Sequence, residues 1–169
     1  GLALFEKGAW AESLPQLALA VSRDNDDLEA LVRLADARSR VPEVNDRHIS
    51  TASSYYTRAV EACVRDGRTD EIYEQALLGQ ARMARFTGAP LTAERACTAL
   101  LGIDPENEEA VEILIGLKAA TGELLPEDDE LLFRNGRSLA AWGEALREAD
   151  RSEEHTSELQ SHSDLVCRL

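Results

Sequence analysis

Aromatic residues are scarce in this chain: Phe, Trp and Tyr together make up 5% of 169 positions. Proline, at 5, and glycine, at 10, are few as well. A strand-rich fold draws on aromatic and β-branched residues and on frequent turn residues, so a β-sandwich or barrel is disfavoured. The three cysteines lie at scattered spacings that form neither a disulfide framework nor a zinc ribbon. No apolar run approaches the roughly 20 residues that a bilayer-spanning helix needs, which argues against membrane insertion. Positive charge is in the minority, with 18 Lys+Arg against 32 Asp+Glu and a formal net charge of -14. Nucleic acid and anionic lipid carry that same sign, so non-specific binding to either is disfavoured. What remains is 44% hydrophobic and 30% charged, a composition suited to one packed domain.

The apolar residues that are present recur at three and four positions. Leu14, Leu17 and Val21 form one stripe; Leu28, Leu31, Leu34 and Ala35 form a second; Tyr56, Ala59, Val60 and Cys63 form a third; Val111, Leu114 and Ile115 begin a fourth. Residues so spaced share one helix face, so each segment has one side to bury. The expected fold class is all-α. The breaks between segments have helix-boundary chemistry. Gly8-Ala9-Trp10 separates two runs, and Arg23-Asp24-Asn25-Asp26-Asp27 puts acids where the next helix begins, complementing its dipole. Gly88-Ala89-Pro90 and Asp104-Pro105-Glu106-Asn107 each read as a stop followed by a fresh start. Ser13-Leu14-Pro15-Gln16 reads as a capping box.

A period of 34 residues links Leu77 with Val111, Ala81 with Ile115, Ala84 with Lys118, Gly88 with Gly122, and Gly1 with Ala35. The clearest copy runs through Leu77, Ala81, Ala84, Gly88, Ala93, Cys97, Leu100 and Pro105. This pattern resembles the tetratricopeptide repeat, a helix-turn-helix unit, although Ala84, Cys97 and Leu100 depart from the family's residue types. The first copy continues from Gly1 through Leu4, Gly8, Trp10, Ser13, Leu17, Ala20 and Asn25. The second is irregular, with extra residues around Arg40-Val41-Pro42-Glu43-Val44 and a second helix expected to run past Arg65. The resemblance implies a right-handed α-solenoid over residues 1–122. Residues 123–150 are then a terminal helix or the start of a further domain. The chain is expected to be truncated at both ends.

Residues 151–169, RSEEHTSELQSHSDLVCRL, resemble no protein family. They resemble instead the in-frame translation of a common short-read sequencing adapter, matched on both sides of a short index. His155, His162 and Cys167 therefore carry no expected role, and their spacing fits no zinc pattern. Without this tail the acids still outnumber the bases.

No catalytic set is evident. Gly79, Gly88 and Gly102 stand too far apart for a phosphate loop, and there is no nucleophile elbow. His48 falls in the inserted turn with no general-base partner and is expected to be an exposed loop residue. Cys63 and Cys97 fall on apolar stripes and are expected to be core residues. Glu127-Asp128-Asp129-Glu130 lacks calcium-loop spacing. Neither a cofactor nor a metal is expected, and the chain is not expected to be an enzyme.

By the tetratricopeptide resemblance, the first helix of each unit lines a concave groove. The implied groove positions include Phe5, Val32, Arg33, Asp36, Ser39, Arg40, Gln75, Leu78, Arg82, Arg85, Phe86, Glu109 and Glu112. Arg33, Arg40, Arg82 and Arg85 then make a basic strip on an acidic protein, suited to bidentate binding of carboxylates. Two outcomes stay open: the strip binds an extended acidic peptide of a protein partner, or its arginines pair with Asp36, Glu74 and Glu109 as surface salt bridges of little worth. The resemblance implies an interaction or scaffold module, or else the partner-binding arm of a larger enzyme such as a transferase. The natural start is expected to be missing, so the compartment is not read from a leader; the cytoplasm is the expectation.

Overall fold

A computed structural model describes residues 1–121 of the chain. The expectations placed on 123–150 and on 151–169 lie outside the described residues. Among the described residues the structure is all-α, with α1 (Leu2–Glu6), α2 (Trp10–Arg23), α3 (Leu28–Arg40), α4 (Arg47–Arg65), α5 (Glu71–Phe86), α6 (Pro90–Leu101) and α7 (Glu108–Thr121), and a 3-10 turn at Val44–Asp46. No strand occurs among them. The chain divides into two compact units, Gly1–Ile113 and Leu114–Leu169. The described part of the second unit is the C-terminal end of α7.

Local chemistry places most boundaries. Asp27 caps α3 by accepting a hydrogen bond from the Ala30 amide at 2.9 Å, and Asn107 caps α7 by accepting one from the Ala110 amide at 3.1 Å. Asp70 does the same for α5 through the Tyr73 amide. Pro90 occupies the first turn of α6, where its missing N–H costs nothing. Gly88 takes φ +67°, the left-handed conformation that reverses the chain between α5 and α6.

Three expectations are corrected. Ser13 does not cap a helix: Gly8, at φ +74°, turns the chain earlier, α2 starts at Trp10, and Ser13 lies buried inside it, donating to the Trp10 carbonyl at 2.7 Å. Pro15 is therefore interior to α2 and supplies no donor there. The helix expected past Arg65 ends at Arg65, and the chain turns at Gly67 with φ +64°. His48 is not an exposed loop residue. It sits in the first turn of α4 at 8% exposure, and its Nδ1 accepts the Glu43 amide at 3.1 Å.

Within Gly1–Ile113 each helix from α1 to α6 packs on the next, and α3 also touches both α1 and α5. The odd-numbered helices thus meet one another, and each even-numbered one up to α4 packs against the odd-numbered helices on either side of it in sequence. Small residues lie at the buried faces: Ala35 and Ala37 on α3, Ala52, Ala59 and Cys63 on α4, Ala81 on α5, and Ala93 and Cys97 on α6. Small side chains let helix axes approach while Leu17, Leu31, Leu34 and Leu100 fill the remaining volume. α4 meets α5 where the Tyr56 ring lies on Gly79. A Cβ added to Gly79 would fall 2.1 Å from that ring, so only glycine fits.

Candidate functional site

The α3–α4 connection is the least regular in the described chain. Asn45 and Asp46 both have left-handed backbones, with φ 58° and 54°, which side chains other than glycine's adopt at a cost. The turn is braced by the Arg38–Glu43 ion pair at 2.5 Å and by the Glu43–His48 hydrogen bond. Lengthening this connection leaves a cleft of about 810 Å³ between the end of α3, the start of α4 and the end of α5. Asp36, Ser39 and Arg40 form one side, His48, Ile49 and Ser50 another, and Arg82, Met83 and Phe86 a third. A smaller hollow of about 100 Å³, lined by Val32, Arg33, Gln75 and Leu78, shares Asp36, Arg40, Tyr56 and Arg82 with the cleft.

Four of the residues expected in the basic strip or beside it, Asp36, Arg40, Arg82 and Phe86, come together at the cleft. Arg33 lines the hollow, and Arg85 is exposed and lines neither. Arg40 Nη2 donates to both Asp36 carboxylate oxygens at 3.4 Å, and its guanidinium lies 4.7 Å from the centre of the Trp10 ring. Arg33 lies 5.3 Å from the centre of the Phe5 ring. Phe5 and Trp10 meet edge to face at 4.8 Å, so one aromatic pair supports two arginines. Arg82 makes a two-pronged ion pair with Glu109, Nε to Oε1 and Nη2 to Oε2, each at 2.5 Å. Two of the salt bridges anticipated for the strip are thus made, Arg40–Asp36 and Arg82–Glu109. Glu74 takes no part in one among the described residues.

The electrostatics follow from these contacts. Hydrogen bonds from Arg82 hold the Glu109 carboxyl below its ordinary value, and the same bonds raise Arg82. Tyr56 is buried and donates to Asp36 Oδ1 at 3.2 Å. Burial, then the Asp36 charge, push its hydroxyl well above the usual range. Cys63 and Cys97 are fully buried, and burial raises both thiols, that of Cys97 to about 12. They are packing residues rather than nucleophiles at neutral pH. Among the described residues no group of three or more His, Cys, Asp or Glu is arranged to hold a metal ion. No helix among them is long and apolar enough to cross a membrane.

Met83 lines the cleft without any signal in the sequence pattern, and Trp10, Tyr56 and His48 act here otherwise than as the turn, stripe and loop residues their patterns suggest. The signal for Tyr56 is its polar tip: such a ring on a buried stripe calls for a partner to its hydroxyl. Guanidinium groups with unused donors stand beside an apolar wall, and Phe86 at the rim is 74% exposed. No protein-family model matches the chain, and no curated protein matches it.

Proposed function

We propose that the chain is a right-handed stack of tetratricopeptide-like helix pairs that holds an extended acidic segment of a partner protein, with no catalysis of its own. The order of helix contacts supports the stack: odd-numbered helices meet each other, with α2 and α4 each packed between successive odd ones, as helix-turn-helix units do when they hide each other's apolar faces. Leu77 and Val111, one period apart, are both buried, as are Ala81 and Ile115.

The observation that carries the binding function is the cleft itself. Its volume is that of a site for a few side chains, and Arg40 and Arg82 face it together with Ile49, Met83 and Phe86. A carboxylate of the partner meets the guanidinium groups while a neighbouring apolar side chain rests on Phe86 and Met83. The probe is a fluorescein-labelled decapeptide of Glu and Asp with one central Leu, compared with a Lys-rich peptide of equal length. The acidic peptide binds and the basic one does not. Arg40→Ala combined with Arg82→Ala weakens binding about tenfold or more, the loss of two charge-assisted contacts. Unchanged affinity in the double variant overturns the proposed site.

We further infer that residues 151–169 are adapter-derived and take no part in this function. Re-reading the gene across Asp150 tests this, and a native reading frame encoding the same 19 residues contradicts it.

A further inference from the structure

The Arg82–Glu109 pair stands apart from the other ion pairs of the described chain. It joins two helices through residues 27 positions apart in a two-pronged geometry that, among the described residues, is otherwise made by the sequence neighbours Arg65 and Asp66, and its arginine lines both the cleft and the neighbouring hollow. Both side chains are partly exposed, 38% for Arg82 and 42% for Glu109, so solvent reaches the pair in the folded chain. A two-pronged carboxylate on a guanidinium is the same contact that an acidic partner would make. Glu109 therefore occupies, from within the chain, the position a partner's carboxylate needs.

We propose that Glu109 is a built-in competitor that sets the specificity of the cleft. It reserves Arg82 for partners whose carboxylate replaces it in the two-pronged geometry, and turns away groups that accept one hydrogen bond. The inference rests on the peptide-binding function proposed above. Arg40 is not reserved in this way. Asp36, the carboxylate it meets, also accepts from Tyr56, and its contacts to Arg40 are long at 3.4 Å. The division of labour is then clear: Arg40 attracts, and Arg82 selects.

The test uses the full chain with the acidic decapeptide as probe. Glu109→Gln removes the competing charge and keeps the side chain's size. Glu106→Gln, three residues before Glu109 in the turn that precedes α7 and exposed, removes the same charge outside the groove positions. Glu109→Gln is expected to tighten peptide binding roughly two- to fivefold, the range set by a partly exposed ion pair, and Glu106→Gln to change it by less than half as much. Combining Glu109→Gln with Arg82→Gln erases the gain. A peptide in which every Glu and Asp is replaced by Gln and Asn binds weakly to the wild-type chain and gains nothing from Glu109→Gln. Equal effects of Glu109→Gln and Glu106→Gln reduce the matter to net charge and overturn the competitor role. Acidic-peptide binding that is unchanged by Glu109→Gln overturns it while leaving the peptide-binding function standing. Absence of binding by every form overturns both.

Discussion

The α5–α6 hairpin and the α3–α4 hairpin are built from the same kinds of residue and differ in how they are joined. Between α5 and α6 the chain turns in the three residues from Thr87 to Ala89, with Gly88 taking the left-handed step and Pro90 opening the next helix. Between α3 and α4 it uses six residues, from Val41 to Asp46, and two successive non-glycine residues take left-handed conformations. The regular hairpin closes on Ala81, Ala93, Cys97 and Leu100 and is well filled. The irregular one leaves the cleft at its mouth. Irregularity in a packed helical array is where unfilled, chemically mixed surface arises, because regular pairing consumes the surface elsewhere.

The comparison is broken most severely where the two hairpins meet. Gly79→Ala places a Cβ on the Tyr56 ring and forces α4 and α5 apart, an overpacking that costs about 1–3 kcal/mol. Urea unfolding measures it, and a loss below about 0.5 kcal/mol would show that the ring has room to move. The next contrast sets one turn against the other. At Gly88 a Cβ meets nothing within 4 Å, so Gly88→Ala tests conformation alone and costs about 1–2 kcal/mol. Asn45→Gly, at a similar φ, runs the other way and gains up to about 1 kcal/mol. If both substitutions destabilise, Asn45 is held by contacts rather than tolerated.

The smallest effect concerns pH. The Glu109 carboxyl is held below its ordinary 4.5 in the folded chain. Its contribution is therefore complete above that value and is lost as the pH falls through the lowered one. Because both partners are partly exposed, the loss is under about 0.5 kcal/mol. Stability measured between pH 6 and 3 falls slightly less steeply in Glu109→Gln than in the wild type. Parallel curves would mean that the pair contributes nothing in solution.

Much of the all-α layout was legible, because caps and turns are local. Asp27, Asn107, Gly88 and Pro90 each act within four residues of themselves. The Arg40–Asp36 pair was legible too, since positions four apart share a helix face. Ser13 misled because a short hydroxyl residue two places before a proline has the chemistry of a helix start. Nothing local reveals that Gly8 has already turned the chain. Tyr56 on Gly79 and Tyr56 on Asp36 join residues 23 and 20 apart, and such contacts depend on how helices pack rather than on any short motif. His48 escaped for the same reason: its partner is the Glu43 amide, which only the folded turn brings to it.

The site is tested most directly by amide chemical shifts of the isotope-labelled chain titrated with the acidic decapeptide. Shifts concentrated at 36–50 and 82–87 are predicted, with the Arg40 and Arg82 side-chain Nε–H signals moving in step. Shifts scattered over the acidic outer surface, or confined to residues distant from Arg40 and Arg82, would contradict it.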